Sequence, residues 1–140
     1  MTAPLDDVLA LKVASLRRCV ARAREERALA GAGFREDFSH QDASLLNIFR
    51  ACEQAIDLGN HLVRKLKLGV PAHASDSFAL LQRALVIPAD LCPALVRMTA
   101  FRNTAIHEYQ RLDLDIVERV LTEGLDDLLA FAELALKRPA

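Results

Sequence analysis

The sequence predicts an all-α protein, an up-and-down four-helix bundle with one additional short helix, and three observations carry that expectation. Hydrophobic residues make up 52% of the chain, and most of them are Leu and Ala, both strong helix formers. Only 5 Gly and 5 Pro punctuate the 140 residues. No alternating run of β-branched residues is long enough to read as a strand. A charged fraction of 26% beside that apolar share excludes a disordered chain. The length suits a single domain over residues 1–140, large enough to bury a core without disulfides or a structural metal.

The first helix is expected from about Leu5 to Leu29, because Leu9, Val13, Leu16, Val20 and Ala23 recur at spacings of four and three. Gly31-Ala32-Gly33 stops it. The second runs from about His40 to Leu68 on the stripe Leu45, Phe49, Cys52, Ile56, Gly59, Val63 and Leu66, a heptad seam suited to bundle packing. Gly59 on that seam permits a close approach. Gly69 and Pro71 end this helix, and Ser75 is the expected cap of a short third helix carrying Phe78, Leu81 and Leu85. Pro88 suits the first turn of a fourth helix that continues to about Tyr109. Asp113 or Asp115 then caps a fifth, running to about Lys137 with Val117, Val120, Leu121, Leu125, Leu128 and Ala132 inward. Four long helices and a short one make the bundle.

A net charge of −1 argues against a broad basic surface for nucleic acid. Any such site must be a local patch, or borrow charge from a second subunit. Cys19, Cys52 and Cys92 are odd in number, far apart and at apolar helical positions, so they read as buried free thiols in a reducing compartment. Met1-Thr2-Ala3-Pro4 lacks the basic and apolar regions of a secretory signal, and no stretch approaches the roughly 18 apolar residues of a bilayer span. A soluble, cytoplasmic protein without membrane contact is the expectation. His40, His61 and His73 lack metal-site spacing, so neither metal nor cofactor is expected. Arg64, Lys65 and Lys67 form a basic cluster that either steers RNA or, the favoured reading, complements the C-terminal end of a helix dipole. The run from Arg22 to Arg27 reads as a solvated face with opposite charges in register.

The fourth helix breaks the pattern. Its stripe begins Leu91, Leu95 and Met98, then continues at the same spacing through Arg102, Ala105 and Tyr109. Arg102 therefore occupies a core register, and burying an unpaired guanidinium there costs several kcal/mol. It must pair, line a cleft or face a partner chain. A purely structural account pairs it with Asp42 or Asp57 on the second helix, leaves His107 at an interface, and has Tyr109 close the helix. Asn103 and His107 share a face. Arg102 and His107 are about 140° apart around a straight helix and roughly 7.5 Å along it, so they serve one site only if the helix ends or bends, or if they flank one groove from either side.

The string Phe101-Arg102-Asn103-Thr104-Ala105-Ile106-His107-Glu108-Tyr109 resembles the motif of the HEPN superfamily, an Arg and a polar residue followed shortly by His. With Tyr two places after the His, it is similar to HepT, the toxin half of HepT/MNT toxin–antitoxin pairs. The resemblance extends over nearly the whole chain, through Gln41-Asp42-Ala43, Ala55 to Val63, Pro71 to Phe78, Leu85 to Pro88, and Met98 to Asn103. It implies a metal-independent endoribonuclease acting on RNA rather than DNA at a homodimer interface. It also implies an MNT-type nucleotidyltransferase antitoxin that adds AMP to Tyr109.

The chemistry of the residues is consistent with that implication. RNA is cut without metal when a base removes the 2′-hydroxyl proton, an acid protonates the leaving oxygen, and a cation stabilises the phosphate. His titrates near cellular pH and suits both proton roles; with one motif His per chain, two protomers would supply the pair. His107 is the candidate base or acid, Arg102 the phosphate stabiliser, and Asn103 the residue that orients His107 or donates to phosphate. Asp57 and Asn60, near His61, are candidates for contacting the motif across the bundle. Two other readings stand beside this one: a non-catalytic substrate-binding subunit of a two-component minimal nucleotidyltransferase, and a purely structural dimerising bundle.

Overall fold

A computed structural model describes residues 6–138, and every regular element among them is helical. Helix α1 spans Asp7–Ala30, α2 Phe38–Leu66, α3 Asp76–Arg83, α4 Leu91–His107, α5 Leu114–Arg119 and α6 Leu125–Lys137. The expected start of the first helix at Leu5, and the residues before it, lie outside the described ones.

Each boundary has a local cause. Asp6 caps α1, its carboxylate accepting from the Leu9 amide at 3.0 Å, and Gly31 ends the helix at φ +56°, a conformation that costs glycine little. Asp37 caps α2 through the His40 amide at 3.0 Å. Lys67 closes α2 in the left-handed region, its amide returning to Arg64 and Val63. Asp113 caps α5 through the Asp115 amide at 2.9 Å.

Helix α2 is the centre of the bundle, packing against α1, α3, α4 and α6. Its burial is therefore wider than the single seam expected. Leu45, Cys52, Ile56, Gly59 and Val63 are buried, but so are Ile48, Ala51, Ala55, Leu58 and Leu62, while Phe49 and Leu66 are only partly covered. Gly59 does admit a close neighbour: a Cβ there would lie 3.2 Å from Cε1 of Phe78 on α3. Phe78 in turn meets Phe131 of α6 edge-on, ring centroids 5.5 Å apart.

The structure corrects four expectations about the elements. Ser75 precedes α3 but makes no side-chain cap. Leu85 is not on the inward face of α3; it follows the helix at φ +60° and is 87% exposed. Pro88 lies before α4 instead of in its first turn, its carbonyl accepting from the Leu91 amide at 3.1 Å. The fifth helix is not continuous: a π turn over Val120–Gly124 joins α5 to α6, with the Leu125 amide reaching back to the Val120 carbonyl. All six residues expected inward along this rod are buried, so their spacing gave no sign of the wider turn. The turn faces Met98 of α4, whose Sδ would lie 2.5 Å from a Cβ on Gly124, so the close approach there requires glycine. Cys19, Cys52 and Cys92 are buried free thiols, as their register predicts. No described helix is long and apolar enough to cross a membrane.

Candidate active site at the end of the fourth helix

Helix α4 ends at His107, two residues before the expected limit. The Glu108 amide still bonds back to the Thr104 carbonyl at 2.8 Å, and the chain then tightens into a 3₁₀ turn over Tyr109–Arg111. This termination comes too late to turn His107 toward Arg102, since both residues lie within α4. Arg102 stays on the inner side of α4, His107 is exposed on its last turn, and Tyr109 leaves the helix altogether.

Arg102 sits in the core register and is paired, but with neither carboxylate named from the sequence. Its Nη2 donates to Glu53 of α2, and its Nη1 donates to Asn103 Oδ1 at 2.9 Å. Its Nε is buried without a hydrogen-bond partner, a state that costs about 1–3 kcal/mol for a neutral donor and more for a charged one. Asp57 instead lies 4.0 Å from Lys12 of α1. Asp42 accepts from the Tyr109 hydroxyl. Burial, and then the Asp42 carboxylate, push the Tyr109 phenol up to about 12.

Asn103 is thus engaged with Arg102, and no hydrogen bond joins it to His107 among the described residues. His107 lines a surface hollow of about 410 Å³ together with Ile106, Glu108, Tyr109 and Arg111. Tyr109 also borders a second hollow, about 390 Å³, lined by Arg35, Phe38, Asp42 and Leu112 among others. Helices α2 and α4 run antiparallel here: Asp42, near the start of α2, meets Tyr109 beyond the end of α4, whereas Glu53 further along meets Arg102.

The other polar candidates lie elsewhere. Asn60 accepts from Ser77 of α3, and His61 pairs with Asp6 at 2.7 Å, so that cluster faces α1 and α3 and makes no contact with the motif. His40 pairs with Glu26 of α1. The Arg22–Arg27 run does carry in-register pairs, Arg22 with Glu25 and Glu26, but it also fastens the bundle: Arg24 bonds Asp126 and Arg27 bonds Glu118, each at 2.8 Å. Sequence reasoning missed Glu53 and Arg111. For Glu53 a signal existed, since it precedes Asp57 by one helical turn on the same face.

Fold and motif together define a helical bundle of the HEPN class. A family model described as ribonuclease HepT-like matches residues 16–135, and the chain belongs to that family. The mRNA nuclease HepT of Shewanella oneidensis is 38% identical over 129 residues, covering 92% of this chain and 96% of the relative. A tri-AMPylated HEPN toxin of Shewanella oneidensis in complex with MNT antitoxin superposes with a TM-score of 0.87 at 38% identity, over 93% of this chain and 97% of that one. A crystal structure of a toxin–antitoxin with AMP-PNP gives a TM-score of 0.87 at 36% identity, over 94% of this chain and 99% of that one.

Proposed function

We propose that this chain is a metal-independent endoribonuclease, the toxin of a HEPN/MNT toxin–antitoxin pair, whose cleavage site forms between two protomers and is silenced by AMPylation of Tyr109. The observation that carries the reading is the placement of Arg102, His107 and Tyr109 at one end of α4. A guanidinium in a core register bonds Glu53 and Asn103, an exposed imidazole follows on the last turn, and the tyrosine lines the same hollow as that imidazole.

The chemistry follows from those positions. One His107 takes the 2′-hydroxyl proton, and the 2′-oxygen attacks the adjacent phosphorus. The bond to the 5′-oxygen breaks, and a second His107, from the twofold-related protomer, protonates the leaving oxygen. The products are a 2′,3′-cyclic phosphate and a 5′-hydroxyl end. Arg102 supplies positive charge to the phosphate as it becomes more crowded. Its Nη1, bonded to the exposed Asn103, is the part of the guanidinium that a phosphate would meet. The exposed apolar side chain of Ile106, 46% accessible beside His107, suits coverage by a second copy of the chain. AMP on Tyr109 would set a phosphodiester, with its negative charge, beside Arg111 and His107, where it competes with the RNA backbone.

The similarity to a named mRNA nuclease and to an AMPylated toxin supports this reading over the companion-subunit and purely structural ones. Purified protein is incubated with end-labelled structured RNA in EDTA beside His107→Ala. Cleavage by the wild type with cyclic-phosphate ends, and none by the variant, is the expected result. Equal inactivity of the two on several RNAs, with the fold intact, would favour the substrate-binding subunit.

A further inference from the structure

We propose that Asp42 is a catalytic residue for the silencing reaction, taking the proton from Tyr109 as its hydroxyl oxygen attacks the α-phosphate of ATP held by the nucleotidyltransferase. The inference rests on the reading that Tyr109 is the residue modified. In the isolated chain the Tyr109 hydroxyl already donates to Asp42 Oδ1. The contact joins residues 67 positions apart, so it is a product of the fold and not of local sequence. Both residues are exposed, and Tyr109 lines two surface hollows, one of which it shares with Asp42.

A phenol with an ordinary pKa near 10 is ionised in only about one molecule in a thousand at neutral pH. Attack on phosphorus therefore needs a base within hydrogen-bond reach of the proton. The other ionisable groups around the ring are placed differently. His107, Glu108 and Arg111 line the other hollow, which does not include Asp42, and Arg35, which shares the Asp42 hollow, is paired with Asp115. Asp42 is the carboxylate that the hydroxyl addresses.

The step balances without an added oxidant or reductant. A bond forms between Tyr109 Oη and the α-phosphorus, the bond from that phosphorus to its bridging oxygen breaks, and pyrophosphate leaves. The hydroxyl proton passes to Asp42 and on to water. The acceptor protein thus brings its own base to the reaction. Any later AMP joined to the first departs from a ribose hydroxyl, beyond the reach of Asp42, so only the first addition depends on it.

The test follows successive additions in a rapid-mixing assay with the cognate MNT nucleotidyltransferase, Mg²⁺ and α-labelled ATP. Wild type, Asp42→Asn and Asp42→Glu are compared, with the Tyr109 peptide analysed by mass. We expect Asp42→Asn to slow the first addition by about 100-fold in kcat, within the usual contribution of a general base, with little change in KM for the toxin. Asp42→Glu recovers part of the rate, and later additions proceed at the wild-type rate. Equal first-addition rates in all three proteins would overturn the proposal, as would equal slowing of every addition, which marks a docking role. Absence of label from the wild-type Tyr109 peptide would instead sink the silencing reading, and this proposal with it.

Discussion

Asp42 and Glu53 lie on one face of α2, eleven residues apart and about 20° from register, and each accepts a hydrogen bond from the motif end of α4. One holds the tyrosine beyond the helix, the other the arginine within it. The two carboxylates thus fix both ends of the same short stretch while leaving His107 free between them.

Glu53 is expected to act through Arg102. The pair is partly solvated, with 26% of the Arg102 side chain and 44% of the Glu53 side chain exposed, so its net effect on stability is within about 1 kcal/mol. Its effect on positioning is larger, because a misplacement of about 1 Å at a reacting centre costs on the order of 100-fold in rate. Glu53→Ala should lower RNA cleavage by about 10- to 100-fold while leaving the denaturation midpoint nearly unchanged. Measured cleavage at the wild-type rate would reduce the pair to a surface contact.

Tyr109 can be read alone in a spectroscopic titration, since the chain has 1 Tyr and 0 Trp. Burial and the neighbouring Asp42 favour the neutral phenol and push its ionisation up to about 12. The phenolate absorbance should therefore rise about 2 pH units later than in a denatured control. Asp42→Asn should bring the midpoint back part of the way. The sign for stability follows: the unfolded chain loses this proton first, so stability falls as pH rises from about 10 toward 12. A midpoint near 10 in the folded protein would remove the contact.

The helices were legible because their signals are local. Leu9 to Ala23 and Val117 to Ala132 repeat at helical spacing, and Asp113 stands where a cap must. Arg102 was legible by contradiction, a charge in an apolar register. Its partner was not, because a face of α2 can be read from spacing while the turn of α2 that meets Arg102 depends on how far the helices slide. That offset separates Glu53 from Asp57, one turn away. The π turn at Val120–Gly124 was hidden as well, because all six residues expected inward are buried with the turn in place. The early end of α4 was hidden too, since Glu108-Tyr109-Gln110 carries neither Gly nor Pro to announce it.

Asp6 ties the first helix to the second and should make stability depend on acid. It accepts from the Leu9 amide, from His61 at 2.7 Å and from Lys65 at 2.9 Å. The His61 bond, then the Leu9 amide and Lys65, hold its carboxyl well below the usual carboxylate range. A depressed folded-state pKa contributes stability that is present above the unfolded value of about 3.9 and is lost as pH falls below it. Asp6→Ala should cost about 1 kcal/mol at neutral pH, the usual effect of losing an N-cap. The gap between variant and wild type should narrow in denaturation curves collected at progressively lower pH, and a gap independent of pH would contradict the assignment.

Phe131 separates the fold from the chemistry. Its ring is fully buried, and its aromatic partner is Phe78 on α3, not a residue of the motif. Phe131→Ala removes that contact and leaves a cavity, at a cost of about 3–5 kcal/mol. Against a typical total of about 5–15 kcal/mol, such a loss leaves little margin at 37 °C. Phe131→Leu keeps most of the volume and should cost clearly less. Because neither change touches Arg102, His107 or Glu53, cleavage per folded molecule at low temperature should remain at the wild-type level. Glu53→Ala should do the opposite, sparing stability and lowering the rate. A Phe131→Ala protein that is fully folded but slow would mean that the α3–α6 contact sets the geometry of α4, and that stability and catalysis share one core.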